Sequence, residues 1–185
     1  VHANWRYFEL YDANGEVTDA WFGGGTDLTP YYLVKEDVIH FHNVQKKCCD
    51  THLPGYYRQF KNQCDEYFLN HHREGERRGV GGIFYDHLRA DHKQSLESWM
   101  NFVMANGNAF VESYLPIVMR QKNMPFTPEQ KFWQEIRRGR YVEFNLIHDR
   151  GTLFGLRTNG RTESILMSLP ATVRFEYAYK PLPGS

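Results

Sequence analysis

"WFGGGTDLTPYY", residues 21 to 32, places three consecutive glycines between an aromatic pair and an aspartate. Residues without a Cβ weaken a strand or a helix, so three together indicate that the backbone approaches something closely. Two interpretations stand: a flat, bulky ligand lies against the chain, or a β-bulge bends a sheet. Asp27 then either caps a turn or directs its carboxylate into the space that the glycines open, where it accepts hydrogen bonds from ligand N–H groups.

The residues around this stretch predict β-structure. Asn4 to Tyr11 alternates aromatic and polar side chains, "DANGE" supplies an Asn-Gly turn, and Val17 to Phe22 forms a second strand. A second glycine-rich stretch, "RRGVGGIFYDHL" at residues 77 to 88, predicts a further short strand. We therefore expect an antiparallel hairpin and a third strand.

Amphipathic periodicity predicts four helices in the middle of the chain. Pro116 is expected to kink the third helix or to end its regular part, and Thr127-Pro128-Glu129-Gln130 carries the cap, proline and glutamine that begin the fourth. The expected ranges are Lys35 to about Cys49, Pro54 to His72, Lys93 to Gln121 and Thr127 to about Arg138.

The last part of the chain contains β-prone runs separated by connections too short for crossover helices. They predict an antiparallel meander of strands at Tyr141 to Ile147, Thr152 to Arg157, Ser164 to Leu169 and Val173 to Tyr179. The predicted fold is α+β, with a large, mainly antiparallel sheet covered on both faces by helices. With 185 residues, 41% of them hydrophobic, we expect a single domain over residues 1–185.

Charge and cysteine content limit the classes of function. Lys and Arg balance Asp and Glu at 22 each, so no overall field favours nucleic acid or acidic lipid. Cys48, Cys49 and Cys64 have neither disulfide nor zinc-ribbon spacing, which predicts reduced thiols. The chain lacks an apolar run of about twenty residues and begins abruptly in a strand-like stretch, so we expect a fragment without a membrane span.

Arginine and histidine supply the candidate ligand-binding groups. Arg6 lies within a predicted strand and Arg161 in the turn "TNGR", where a guanidinium fork could bind a carboxylate or phosphate. His2, at a strand start beside Arg6, is either a proton donor or an ordinary histidine. Neither glycine run has the spacing of a dinucleotide fingerprint or a P-loop, which disfavours nucleotide binding.

Taken together, the motifs resemble the oxygen-dependent coproporphyrinogen III oxidases. Ordered strings spanning almost the whole chain carry the resemblance: "HANWRYF", "WFGGGTDLTPYY", "EDVIHFH", "CDEYF", "RRGVGGIFYD", "RRGRYVEFNLIHDRGTLFGL" and "NGRTESILMSLP". The resemblance implies an enzyme of haem synthesis that converts two propionates of coproporphyrinogen III to vinyl groups. Its O2-dependent oxidative decarboxylation gives protoporphyrinogen IX, CO2 and hydrogen peroxide.

The resemblance also implies the residues of the site. His2 matches a proposed proton donor and Asp27 an aspartate that holds pyrrole N–H groups, and with Arg6 they are the expected catalytic residues. The expected substrate-binding residues are Asn4, Trp5, Arg6, Arg73, Arg78, Asn159, Gly160 and Arg161. A family serine upstream of the histidine and a C-terminal helical segment have no counterpart in this chain.

Cofactor and assembly follow from the same resemblance, whereas a cytoplasmic location follows from the reduced thiols and the lack of a membrane span. No organic cofactor is expected, and the protein is expected to be a cytoplasmic homodimer, or to lie in the mitochondrial intermembrane space of a typical eukaryote. The stretch from about Arg140 to Pro170 matches the part credited with dimer formation. A divalent metal on histidines matching His2, His42 and His72 is an open question, and we expect that catalysis does not require one.

Two other classes of protein fit the same residues. A non-catalytic carrier of porphyrins would need the same slot and arginines without oxygen chemistry. A histidine-based metallohydrolase would need a stoichiometric metal. Residues two apart on a helix point about 200° away from each other, so His40 and His42 cannot easily share one ion.

Overall fold

The computed structural model describes residues 1–181, which form two compact units, Val1–Met124 and a second unit that begins at Pro125. The first unit contains β1 (His2–Tyr11), β2 (Val17–Leu28), α1 (Lys35–His52), α2 (Tyr56–Tyr67), β3 (Leu69–Asn70), a 3₁₀ turn (His71–Arg73), β4 (Glu76–Arg77), β5 (Gly81–Leu88) and α3 (Leu96–Gln121). The second unit contains α4 (Pro128–Ile147), α5 (Arg150–Arg157) and α6 (Thr162–Leu166). That residues 1–185 form a single domain stays a prediction.

The predicted hairpin is confirmed. β1 and β2 pair antiparallel, and the glycine run lies inside β2. The carboxylate of Asp12 accepts hydrogen bonds from the backbone N–H groups of Asn14, at 2.8 Å, and Glu16, at 2.9 Å, while Gly15 adopts a φ of +85°. Side-chain capping and one left-handed residue thus close the turn.

The predicted strand after the second glycine run is also confirmed, as β5. It pairs antiparallel with β2, which gives the order β1-β2-β5. Ile83 and Tyr85 of β5 point to one face, where they pack with Phe60 of α2 and Phe102 of α3. All four side chains are fully buried, so this helix-covered face contains the core of the first unit.

The three helices predicted before residue 122 are confirmed, with boundaries that shift by a few residues. Pro116 does not end α3, which continues to Gln121. Proline removes one backbone hydrogen bond from the helix. Trp99 and Ile117 are buried near its two ends, so tertiary packing stabilises the helix despite that loss.

The predicted C-terminal meander is wrong for residues 1–181. The capping box at Thr127 is confirmed, but α4 runs to Ile147, α5 and α6 replace the next two strands, and residues 173 to 179 have no regular structure. A strand needs a neighbouring strand to form its backbone hydrogen bonds, whereas a helix forms them within one segment. Arg174 instead lies beside α4, where its backbone N–H and its guanidinium both bond to Glu135.

The predicted α+β class and the antiparallel sheet are confirmed. Within residues 1–181 the main sheet has three strands, and β3 and β4 form a separate two-stranded ribbon. Without the C-terminal strands, the sheet is smaller than the sequence predicts.

Candidate active site

One face of the sheet gathers the polar residues of β1 and β2, and we call it the polar face. Directly opposed residues of an antiparallel pair project to the same side. His2 opposes Asp27, Asn4 opposes Gly25, and Arg6 opposes Gly23. Three predicted site residues of β1 therefore form a row beside the carboxylate of β2.

Asp27 and Arg78 form an ion pair on this face. Arg78 Nη2 donates to Asp27 Oδ2 at 2.6 Å, and both side chains are almost completely buried. The Arg78 guanidinium carbon also lies 3.7 Å from the centroid of the Phe68 ring. Burial acts to raise the pKa of Asp27, but the charge of Arg78 and the hydrogen bond from His2 outweigh it and hold that pKa below its ordinary value.

His2 is oriented by Asp27 on one side and Asn4 on the other. His2 Nδ1 lies 3.1 Å from Asp27 Oδ1, and Asn4 Nδ2 lies 3.3 Å from His2 Nε2. An ionised carboxylate only accepts hydrogen bonds, so Nδ1 carries the hydrogen and Nε2 is the accepting nitrogen of the neutral ring. The chain Asn4–His2–Asp27–Arg78 thus holds the His2 ring in place against a buried carboxylate.

Arg6 lies further along the row, above Gly23. Its Nε is buried and has no hydrogen-bond partner in residues 1–181, and its guanidinium carbon lies 6.0 Å from the Phe8 ring. A buried guanidinium donor without a carboxylate partner suits an anionic ligand. The structure therefore brings His2, Asn4, Arg6, Asp27 and Arg78 to one region.

The glycine runs let neighbouring strands approach each other closely, and they also leave part of the sheet surface without side chains. A Cβ at Gly24 would lie 2.5 Å from the carbonyl oxygen of Asn4, and one at Gly25 would lie 2.6 Å from the carbonyl oxygen of Ile83. A Cβ at Gly82 would collide with the carbonyl oxygen of Thr26. The register also shifts between Phe22 and Gly24, so the bulge interpretation is confirmed.

Trp5 lies on the opposite, helix-covered face. Its ring packs edge-on against Phe110, and its Nε1 donates to Asn106 Oδ1 at 2.9 Å. Asn106 also accepts from the Tyr85 hydroxyl at 3.1 Å and donates to Gln45 Oε1 at 2.8 Å. Within the first unit, Trp5 is thus separated by the sheet from the residues of the polar face.

The remaining predicted substrate contacts lie outside the strands of the polar face. Arg73 lies in an exposed 3₁₀ turn, unlike the buried Arg78. Asn159, Gly160 and Arg161 belong to the second unit, where they connect α5 to α6 and Asn159 has a φ of +56°. The predicted hairpin at this point is a helix–helix connection.

The histidines proposed for a metal do not form a shared group. His42 bonds through Nδ1 to the Tyr57 hydroxyl at 3.0 Å and through Nε2 to the Val80 carbonyl oxygen at 3.1 Å, and burial lowers its pKa. In the part of the chain that the structure describes, no three His, Cys, Asp or Glu side chains assemble as metal ligands. His2 and His42 are occupied by other partners, so these residues do not fit a common metal site. That catalysis requires no metal stays a prediction.

The predicted free thiols are confirmed as unpaired. Cys48, Cys49 and Cys64 are buried and form no disulfide. Burial raises the pKa of Cys48 to about 11 and that of Cys49 to about 12, and it raises the pKa of Cys64 further. These thiols pack in the core and lack the thiolate character of a nucleophile.

Sequence reasoning missed Phe68 and Asp86. Phe68 stacks on Arg78, and Asp86 reaches the polar face from β5 next to Gly23. The alternation of "GGIFYDHL" could have indicated Asp86, because Ile83 and Tyr85 are apolar and the residues between them face the other side.

The first unit is therefore an α+β protein whose sheet presents guanidinium groups, a histidine and carboxylates on one face. The family model described as "Coproporphyrinogen III oxidase" matches residues 1–185. The chain is 54% identical over 188 residues to the oxygen-dependent coproporphyrinogen-III oxidase, chloroplastic, of Glycine max. It is 53% identical over 186 residues to the mitochondrial oxygen-dependent coproporphyrinogen-III oxidase of Homo sapiens. This chain belongs to the coproporphyrinogen III oxidase family.

The alignments cover all of this chain but only part of each relative. They span 48% of the Glycine max protein and 40% of the human protein. The chain thus spans about half the length of the curated relatives it matches.

The prediction of a cytoplasmic protein is wrong. The relatives are named chloroplastic or mitochondrial. Reduced cysteines and balanced charge indicate a redox state and solubility properties, which several compartments share, so they could not specify the location. None of the helices in residues 1–181 combines the length and apolar character that a membrane crossing requires.

Proposed function

We propose that this chain binds coproporphyrinogen III and provides the polar face on which an oxygen-dependent coproporphyrinogen-III oxidase acts. The observation that carries the proposal is the convergence of His2, Arg6, Asp27 and Arg78 on one sheet face. The relatives named above carry this activity in their names. The product would be protoporphyrinogen IX, an intermediate of haem synthesis.

The substrate explains why this face carries arginine. Coproporphyrinogen III is an electron-rich tetrapyrrole with four propionate groups, and the protein has a formal net charge of +0. Attraction must therefore come from local cations. Arg6 contributes a buried Nε donor to the polar face, and Arg73 of the same unit is a further candidate for a propionate contact. A substrate contact by Arg161 of the second unit stays a prediction.

The proton chemistry is assigned to His2. Each propionate carboxylate loses CO2, one proton and two electrons to become a vinyl group, while O2 takes the two electrons, that proton and one proton from solvent to become hydrogen peroxide. His2 Nε2 would accept the proton that the substrate releases and pass it to the reduced oxygen, and the adjacent carboxylate of Asp27 would stabilise the imidazolium. Asp27 acts through His2 in this scheme, because both of its oxygens already have partners.

The substrate itself reacts with oxygen once it is held, because reduced tetrapyrroles are readily oxidised. We propose that no organic cofactor is needed and that a metal is dispensable. Elemental analysis of the purified protein checks the second point: a stoichiometric metal, with chelator-sensitive turnover, would favour a metallohydrolase or a metal-dependent oxidase.

The direct experiment is aerobic turnover. The chain is incubated with coproporphyrinogen III, and the vinyl products are separated by chromatography and detected by fluorescence after oxidation. We expect vinyl product from the wild type, and His2→Gln should reduce turnover far more than binding. Binding without any vinyl product would indicate a porphyrin carrier instead.

Assembly is proposed separately. We propose that the family's homodimer forms through the stretch from about Arg140 to Pro170, which covers α5 and α6. Exposed apolar side chains in this stretch, Phe154 and Met167 among them, support an interface there. Sedimentation equilibrium distinguishes the dimer from a monomer, and Phe154→Asp should shift the chain to monomer.

A further inference from the structure

β5 carries a second carboxylate on the polar face, next to a bulge. Phe22 pairs with Leu88 and Gly24 with Tyr85, so two residues of β5, Asp86 and His87, oppose only Gly23. His87 is the extra residue of this bulge, and it has a φ of +54°. Tyr85 and Leu88 are both buried in the core on the helix-covered face, which leaves Asp86 on the polar face.

Asp86 lies directly above Gly23 and beside Arg6. A Cβ at Gly23 would lie 2.7 Å from Asp86 Oδ1 and 3.2 Å from Arg6 Nη2. Although they are neighbours, Asp86 and Arg6 form no ion pair in residues 1–181, and Arg6 Nε has no partner there. An acceptor and a donor therefore flank a bare stretch of backbone without bonding to each other in residues 1–181.

Asp86 is more accessible to a ligand than Asp27. The Asp86 side chain is 23% exposed, against 4% for Asp27. Its Oδ1 accepts the backbone N–H of His87 at 3.0 Å, and its Oδ2 lies 3.8 Å from His87 Nε2, beyond hydrogen-bond distance. Asp86 thus retains acceptor capacity, whereas Asp27 bonds to both His2 and Arg78.

We propose that Asp86 is a substrate-contacting residue that accepts hydrogen bonds from the pyrrole N–H groups of the tetrapyrrole, while Arg6 binds one of its propionates across Gly23. This inference rests on the proposed function. It assigns the N–H contact to a residue of β5 and leaves Asp27 to orient His2. Gly23 is required because any side chain there would separate the two groups from the ligand.

The test measures binding of coproporphyrinogen III under anaerobic conditions by isothermal titration calorimetry. Asp86→Asn keeps the acceptor oxygen for the His87 N–H but removes the charge, so the bulge should persist. Loss of a charged hydrogen bond should weaken affinity by about tenfold. Glu97→Gln, which removes an exposed carboxylate on α3, is the matched control and should bind like the wild type.

Gly23→Ala provides a second variant. Its new methyl group would meet only the movable ends of Asp86 and Arg6, so the chain should fold while both groups are displaced and affinity falls. Wild-type affinity in both Asp86→Asn and Gly23→Ala would overturn the inference and leave the proposed function intact. A wild-type chain that binds no coproporphyrinogen III would refute the proposed function for this chain, and the role of Asp86 with it.

Discussion

The guanidinium of Arg78 donates to the carboxylate of Asp27 across 2.6 Å with almost no solvent on either side chain. The pair connects the segment before β5 to β2, and Phe68 covers the guanidinium. Because the pair is buried, the charge of each partner offsets part of the desolvation cost of the other. Asp27 is therefore a structural anchor of the polar face as well as the partner of His2.

The first prediction concerns the loss of one member of this pair. Arg78→Met leaves an uncompensated buried carboxylate, so the free energy of unfolding should fall by about 3–5 kcal/mol. Urea denaturation followed by circular dichroism measures it. Arg89→Met breaks the exposed pair with Asp19 and should lower the free energy of unfolding far less, because solvent screens exposed ion pairs. Equal effects of the two substitutions would show that the buried pair has no special structural role.

The second prediction separates the glycines of β2 and β5 by the atoms that surround them. Gly24→Ala and Gly82→Ala would press a methyl group against carbonyl oxygens of neighbouring strands, which can move only if the sheet deforms. Overpacking of this kind costs about 1–3 kcal/mol. Gly23→Ala meets side-chain ends instead and should cost less, as thermal unfolding of the three variants would show. A similar loss at all three positions would contradict the close strand approach.

The β-rich first half of the fold could be predicted from local signals. The Asn-Gly turn predicted the hairpin. Alternating side chains in a short segment bounded by glycines predicted β5. The C-terminal unit could not be predicted in the same way, because β-prone residues such as Tyr141 to Ile147 form strands only beside a partner strand. The capping box at Thr127 was a local helix signal that its β-prone continuation did not override.

The candidate site was predictable only in part. Resemblance indicated His2, Asn4, Arg6, Asp27 and Arg78, and their shared face follows from the pairing register. Strand alternation by itself places Trp5 on the face opposite Asn4 and Arg6, but it could not show which of the two faces the helices cover. Alternation from Ile83 and Tyr85 places Asp86 on the face opposite the core, but its position beside Gly23 and Arg6 depends on the pairing of β5 with β2, which the sequence does not show.

The third prediction concerns the buried network under Trp5. Asn106 is fully buried and bonds to Trp5, Tyr85 and Gln45. Asn106→Ala leaves the polar groups of Trp5, Tyr85 and Gln45 without this buried hydrogen-bond partner. The free energy of unfolding should therefore fall by at least about 2 kcal/mol. Asn108→Ala, an exposed position on the same helix, should change it by less than about 0.5 kcal/mol. Denaturant titrations compare the two, and an equal effect would mean that the network contributes nothing.

The fourth prediction is a pH dependence at His42. Burial lowers the pKa of His42 below its ordinary value of 6.5, with Lys61 lowering it further and Asp65 opposing. The unfolded chain therefore binds this proton more tightly than the folded chain does. The stability that His42 contributes is complete above pH 6.5 and is lost as the pH falls from there towards the folded pKa.

Urea denaturation midpoints at pH 7.5, 6.5 and 5.5 measure this dependence. The wild-type midpoint should fall over that range, and His42→Gln should reduce the fall, because glutamine bonds to Tyr57 and Val80 without titrating. His52→Gln replaces an exposed histidine at the end of the same helix and should keep the wild-type profile. A His42→Gln profile as steep as that of the wild type would show that other groups cause the acid sensitivity.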